Sequence, residues 1–524
     1  MRRALVRYGW RIGLVDVVPN RRRAEAPRSP LPLRRSSSMS ALAHHPSTRR
    51  SSRRFPRLRL ALTEARGLVG LATPLVLASL ASMGISITDV LMMGWLGPEH
   101  LAAGAVTSDA YSIVFYLAAG VLAAVTPIAS QALGAGRTAD AREAVHQGLW
   151  AAALLALPGA ALVWNAPRLL AGLGVAPAVV ALAVPYARWM AVAFVAMLGV
   201  ALMRQTLASL GRPRVFFAVT LVALPINALG NWLLMFGEGP MRGLGLAGAG
   251  ASSALASTFM LLALLSTLRF ARPLRAYRLL RGRIAPRPAL LRELFTIGLP
   301  IGVASLGETG VFLFSTLLAG VLGTEALAAH AVGLRMAGVL YALPLGLAQA
   351  ATVRVALAAG AGRSDRIARA SRTALALVLL SGAISFLLLV LFRHQVAGLF
   401  LRGGSAASST LGLAALLLVV LAVLHPIDSL ATVAAGCLRG LKDTRVPMVW
   451  SLAGYWGVGF VLAVGLAFPG GHGALGLWLG LGAGSTAVAL ALLRRYRSVE
   501  RSLTPTAASR PIRRPAARPA RRAA

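Results

Sequence analysis

The chain has 524 residues, 57% of them hydrophobic and only 13% charged, a balance that excludes a protein whose whole surface meets water. Its formal charge of +38 lies almost entirely in the two tails and in alternate loops, which excludes a folded basic domain built to grip nucleic acid. The single cysteine, Cys437, excludes an intrachain disulfide and a cysteine-clustered metal site.

Residues 1–63 are rich in Arg, Ser and Pro, carry no sustained apolar run and are expected to be a disordered basic tail. No apolar segment followed by a small-residue cleavage site marks a secretory signal, and Met39 offers an alternative start. Beyond the tail, apolar stretches of about 18–27 residues recur, each long enough to cross a hydrocarbon core of roughly 30 Å. With no water there to satisfy backbone groups, such segments must be helices. Twelve are predicted: 67–95, 105–132, 146–164, 184–208, 214–236 and 246–268, then 294–320, 329–357, 370–392, 411–437, 446–467 and 474–493.

The segment 271–292, with Arg272, Arg275, Arg278, Arg281, Arg283, Arg287 and Arg292, divides these into an N-lobe (64–270) and a C-lobe (293–495). A second basic tail, 496–524, closes the chain. Loops after even-numbered helices carry about twenty Arg and Lys, and those after odd-numbered helices about four, so the bias toward positive cytoplasmic loops puts both termini in the cytoplasm.

The lobes repeat one another at a spacing of 226 residues. Pro74 aligns with Pro300, Ala78-Ser79-Leu80 with Ala304-Ser305-Leu306, Leu96-Gly97 with Leu322-Gly323, and Gly134-Ala135-Gly136-Arg137 with Gly360-Ala361-Gly362-Arg363. Six helices per unit give both copies the same topology, about an axis along the membrane normal. Parallel repeats of this kind belong to transporters, with the substrate path between the halves.

Of the 16 acidic residues, three fall well inside apolar spans: Asp89, Glu308 and Asp428. A charged carboxylate at the bilayer centre costs about 2.5–3.5 kcal/mol on insertion scales. It is tolerated where it holds a proton, binds a cation or lines a wet cavity. A site that trades one positive species for another has the logic of antiport; the alternative is an interhelical hydrogen bond that happens to use an acid.

Asn227 and Asn231, one helical turn apart, share a face. With Ser253 on the next helix they can surround Asp89 with the oxygens a hard cation prefers, or simply hydrogen-bond helix to helix. His425, three residues before Asp428, is a candidate proton relay or an ordinary helix histidine. Asp109 and Arg335 occupy equivalent repeat positions near the starts of the second and eighth helices, where they can mark a cavity rim. No phosphate-binding GxxxxGK[ST], HExxH or GxSxG sequence is present, which argues against an ATP-driven pump and an intramembrane hydrolase; no enzymatic activity is expected.

At these residues the chain resembles the multidrug and toxic compound extrusion (MATE) family, in its NorM-like branch, over roughly residues 64–495. The resemblance is carried by ATPLVLASLASMGISITDVLMMGWLG, PIASQALGAGR and PINALGNWLLMFGEG in the first half. The second half adds GLPIGVASLGETGVF, AAGCLRGLKDTRVPM and GYWGVG. It implies a V-shaped all-α membrane fold of two six-helix lobes that expels drugs by alternating access, driven by Na⁺ or H⁺. It places Asp89, Asn227, Asn231 and Ser253 on the family's N-lobe site, Ser253 standing where the family usually has threonine. Glu308 and Asp428 fall on the acids that bind the coupling cation, with Na⁺ one candidate.

Where a sodium site often has tyrosine, four residues before Asp428, this chain has Leu424. The implied partners are cationic, amphipathic small molecules and membrane lipid, without nucleic acid, around a monomer in a bacterial inner membrane. No cofactor beyond the coupling ion is implied. The rival on a related fold is a lipid-linked oligosaccharide flippase, whose anionic pyrophosphate cargo favours an arginine-lined cavity.

Overall fold

A computed structural model describes residues 54–237, 243–275, 277, 279, 282, 284–401 and 406–503. Among them are twelve helices long and apolar enough to cross a membrane. The first six are α1 (Arg59–Trp95), α2 (Pro98–Gly134), α3 (Thr138–Trp164), α4 (Pro177–Ser209), α5 (Pro213–Phe236) and α6 (Leu246–Phe270). The second six are α7 (Pro288–Val321), α8 (Thr324–Gly360), α9 (Ser364–Phe400), α10 (Ser409–Gly440), α11 (Arg445–Ala467) and α12 (Gly473–Leu503).

The helices outrun the apolar segments that predict them. Residues 54–63 and 496–503, expected in the disordered tails, are helical, while 1–53 and 504–524 lie outside the described residues. Ion pairs lie at or beside the extensions. Arg354 of α8 donates two hydrogen bonds to Glu64 at 2.8 and 2.6 Å, and near the other end of the chain Arg372 reaches Glu500 at 2.9 Å. Charge paired in this way lets a helix continue past the hydrocarbon boundary, which a reading of apolar length alone cannot register.

The repeat survives in the backbone. Pro98–Gly134 and Thr324–Gly360 are displaced by 226 residues at both ends, and Thr138 and Ser364 by the same interval. The longer α9 then lets the register drift. Gly97 and Gly323 end the first turn of each repeat at φ +117° and +112°, backbone that only glycine adopts at no steric cost.

Contacts between the lobes obey the same symmetry. A Cβ on Gly134 would overlap the carbonyl of Leu357, and one on Gly360 the carbonyl of Gln131. These are one contact made twice, since 131 and 357 are themselves 226 apart. Likewise Gly120 meets the backbone of Gly302, and its counterpart Gly346 meets Val76. Small residues here let backbones approach, as membrane helices require in the absence of a hydrophobic drive between them.

Two apolar cores result, and they exchange ends. Leu294, Ile297 and Ile301 of α7 join the core of the first repeat, while Leu68 and Ala72 of α1 join that of the second. The core of each repeat thus takes in the opening turns of the other repeat's leading helix. Outward, bulky side chains such as Leu157, Leu173 and Val321 are more than three-quarters exposed or nearly so (79%, 81% and 75%), which suits lipid and would be a liability in water. Trp95 and Trp164 sit exposed at the ends of α1 and α3, where indoles favour the membrane interface.

Candidate functional site

The second repeat gathers its polar groups around α10. Pro426 interrupts the backbone ladder of this helix two residues before Asp428, and α9 approaches it through Gly382. Tyr455 donates its hydroxyl to Oδ1 of Asp428 at 2.9 Å, and Ser485 donates to the same oxygen at 3.2 Å. Tyr341 of α8 stands with Glu308 on the wall of the same cavity, and the charges of Glu308 and Asp428 act on one another. Helices α7, α8, α10, α11 and α12 thus each supply one member of a single constellation.

Tyr455 reaches Asp428 from a π-helical stretch, Ala453–Phe460, within α11. The equivalent α5 carries its own π-helical turn, Trp232–Phe236, directly after Asn231. Such insertions re-aim side chains and concentrate at functional sites. Trp456 pins the arrangement by donating to the carbonyl of Gly307 at 2.9 Å, next to Glu308.

Glu308 and Asp428 open onto a cavity of about 630 Å³, the size that takes a drug-like molecule. Its walls are mostly apolar and aromatic, with Tyr116, Phe312, Leu424 and Trp478 among them, and α2 and α4 of the first repeat complete it with Gln205 and Thr126. Leu424 fills space against Gly482. A tyrosine hydroxyl does reach Asp428, from Tyr455 of α11.

In the first repeat, Asn231 donates to Oδ1 of Asp89 at 2.6 Å and lies 3.5 Å from the side-chain oxygen of Asn227. Both asparagines are fully buried. The hydroxyl that meets this helix belongs to Ser252, which donates to the Asn227 carbonyl at 3.0 Å. Ser253, the residue picked from the sequence, makes no hydrogen bond among the described residues. One position is a rotation of about 100° around a helix, enough to move the hydroxyl off that face. Asp89 does not line the large cavity, so the two acid clusters are separate sites.

His425 borders the cavity but pairs with Ser429 at 3.4 Å, one turn on, whereas Asp428 takes its bonds from Tyr455 and Ser485. Of the two readings of His425, the direct histidine–carboxylate pair is not formed, and the ring bonds its own helix as an ordinary helix histidine does. Asp109 and Arg335 join no ion pair among the described residues. Tyr341, Tyr455 and Ser485 were not singled out from sequence, although Tyr455 lies in the GYWGVG segment.

Among the described residues no three His, Cys, Asp or Glu side chains stand close enough to hold a metal ion together. The donors around Glu308 and Asp428 are carboxylate and hydroxyl oxygens, hard ligands that fit a proton, Na⁺ or an organic ammonium.

The MatE family profile matches residues 74–233 and 300–464, twice along the chain and with starts 226 residues apart. A "Probable multidrug resistance protein NorM" of Mesorhizobium japonicum is 37% identical over 451 residues, covering 85% of this chain and 96% of that protein. The protein of the same description from Brucella suis is 35% identical, covering 82% and 91%. In fold, the chain matches the eukaryotic MATE transporter AtDTX14 with a TM-score of 0.74 and 21% identity, covering 85% and 100% of the two chains. It matches a MATE transporter in its bent conformation with a TM-score of 0.76 and 18% identity, covering 84% and 98%. The chain belongs to the MatE family, the multidrug and toxic compound extrusion proteins, in its NorM-like branch.

Proposed function

We propose that the protein is a secondary multidrug efflux antiporter that expels organic cations in exchange for Na⁺ or H⁺. The observation that carries this reading is the paired carboxylates, Glu308 and Asp428, on the wall of a largely apolar cavity of about 630 Å³. Apolar and aromatic walls accept many amphipathic shapes, while the carboxylates select positive charge. Coupling follows from competition: a carboxylate pair neutralised by the driving cation has no charge left to offer a cationic drug.

Alternation between two lobes gives the exchange its direction. The reciprocal glycine contacts at the ends of α2 and α8 supply two equivalent surfaces that can close or part. Arginine-rich loops after the even-numbered helices favour a cytoplasmic location for that end and for both termini, and a bacterial inner membrane as the site of action. The protein functions as a monomer in this reading, because the cavity is completed within one chain.

Dye efflux from inverted membrane vesicles tests the proposal, with an imposed Na⁺ gradient compared with an imposed pH gradient. Ethidium movement driven by either gradient, and lost in Glu308→Gln and Asp428→Asn, is the expected result. Full gradient-driven movement in both variants would remove the coupling role of these acids.

A further inference from the structure

A second, smaller cavity of about 50 Å³ lies against the first, and Glu308, Tyr341 and Arg439 border both. Asp428 faces only the large one. The small cavity is also lined by Thr444, Pro447 and Ser451, at the start of α11 and just past the α10–α11 turn. It therefore runs from the carboxylate toward the end of the helices that carries the arginine-rich loops.

Its size and chemistry suit water. A water molecule needs roughly 10–15 Å³ of such space and two to four polar partners. Glu308, Tyr341, Thr432 and Ser451 provide hydroxyl and carboxyl groups along the wall. On the wall shared with the large cavity stands Arg439, one residue from the end of α10. It belongs to no ion pair among the described residues, yet its charge acts on Glu308. The groups facing Glu308 are Tyr341 from α8, Asp428 and Arg439 from α10, Tyr455 from α11 and, across the large cavity, Ser485 from α12, while toward the small cavity α12 adds only apolar Val488 and Leu492.

We propose that this small cavity is the exit by which the coupling cation leaves Glu308 toward the α10–α11 turn, and that Arg439 positions the empty carboxylate by neutralising it once the cation has gone. Entry and exit then use different faces of one residue. The cation meets Asp428 and Glu308 from the large cavity and departs from Glu308 alone. A fixed positive charge beside the exit weakens the hold on the cation and takes its place after release. Without it, a bare carboxylate would be left in an apolar surround, at a cost that slows the empty transporter.

The inference rests on ion-coupled transport through Glu308 and Asp428. The test uses the full chain in proteoliposomes, reading the initial rate of ethidium transport against Na⁺ at fixed pH and against pH without Na⁺. Arg439→Gln is expected to lower the half-saturating concentration of the driving cation by at least about threefold while lowering the maximal rate, because the cation binds more tightly and leaves more slowly. Arg439→Lys is expected to restore most of the rate. An unchanged half-saturating concentration in Arg439→Gln overturns the exit role and leaves the antiport reading intact.

A wild-type rate indifferent to both cations overturns both. Should Arg439→Gln fail to fold, Ser451→Cys in a Cys437→Ala background gives an independent reading. A small charged thiol reagent is expected to reach Cys at 451 from the α10–α11 side, and failure to react from that side overturns the route.

Discussion

In the first repeat Asp89 meets a single amide, that of Asn231, while in the second Asp428 meets a tyrosine, a serine and the field of a second carboxylate drawn from other helices. The two sites occupy equivalent lobes and differ in what they can tolerate. A lone carboxylate held by an amide donor keeps a partner whatever happens around it. Two carboxylates facing one cavity repel each other until a proton, metal ion or organic cation sits with them. In the antiport reading proposed above, this difference places exchange in the second repeat, while the bond from Asn231 to Asp89 ties α5 to α1.

That contrast can be broken in four steps of decreasing size. Asp428→Asn or Glu308→Gln is expected to cut gradient-driven ethidium efflux by more than about tenfold, because a neutral group cannot be exchanged for a cation. Asp89→Asn is expected to cost less, about threefold, since an amide can keep the bond to Asn231. Equal losses at Asp89 and Asp428 in the same vesicle assay would abolish the distinction between the lobes.

Tyr455→Phe removes one of two donors to Asp428 and leaves the ring. A charge-assisted hydrogen bond is worth about 1.5–3 kcal/mol, of which Ser485 recovers part, so we expect a two- to fivefold change in the half-saturating concentration of the driving cation. The finest test is Ser252→Ala against Ser253→Ala. Loss of the Ser252 bond should lower thermal stability by about 0.6 kcal/mol, measured as a shift in melting temperature in detergent, and loss of the Ser253 hydroxyl should leave it unchanged.

Much of this arrangement can be read before folding. Apolar runs announce all twelve helices because the membrane leaves the backbone no other choice. Asp89, Glu308 and Asp428 stand out because carboxylates are so rarely placed in such runs, and Asn227 and Asn231 fall together because four residues make one turn. Three features resist. Tyr455 is delivered by a π-helical stretch, which breaks the 3.6-residue rhythm any face assignment on α11 relies upon.

His425 turns to Ser429 rather than Asp428, since the choice between two neighbours on one helix depends on what the other helices offer. Asp428 is already supplied by Tyr455 and Ser485. Arg439, inside a helix otherwise read for its acid, matters only through two cavities that no linear spacing reveals.

The crossing of the two cores has a further consequence. Because α1 begins in the core of the second repeat and α7 in that of the first, the molecule is a swapped dimer fused into one chain. Each half lends the start of its leading helix to the other's interior, so fragments of a chain severed within 271–292 are expected to need one another to complete their cores. Fusion fixes the exchanged partner at birth, and the duplicated halves are then free to diverge in their acids while remaining bound to a shared interior.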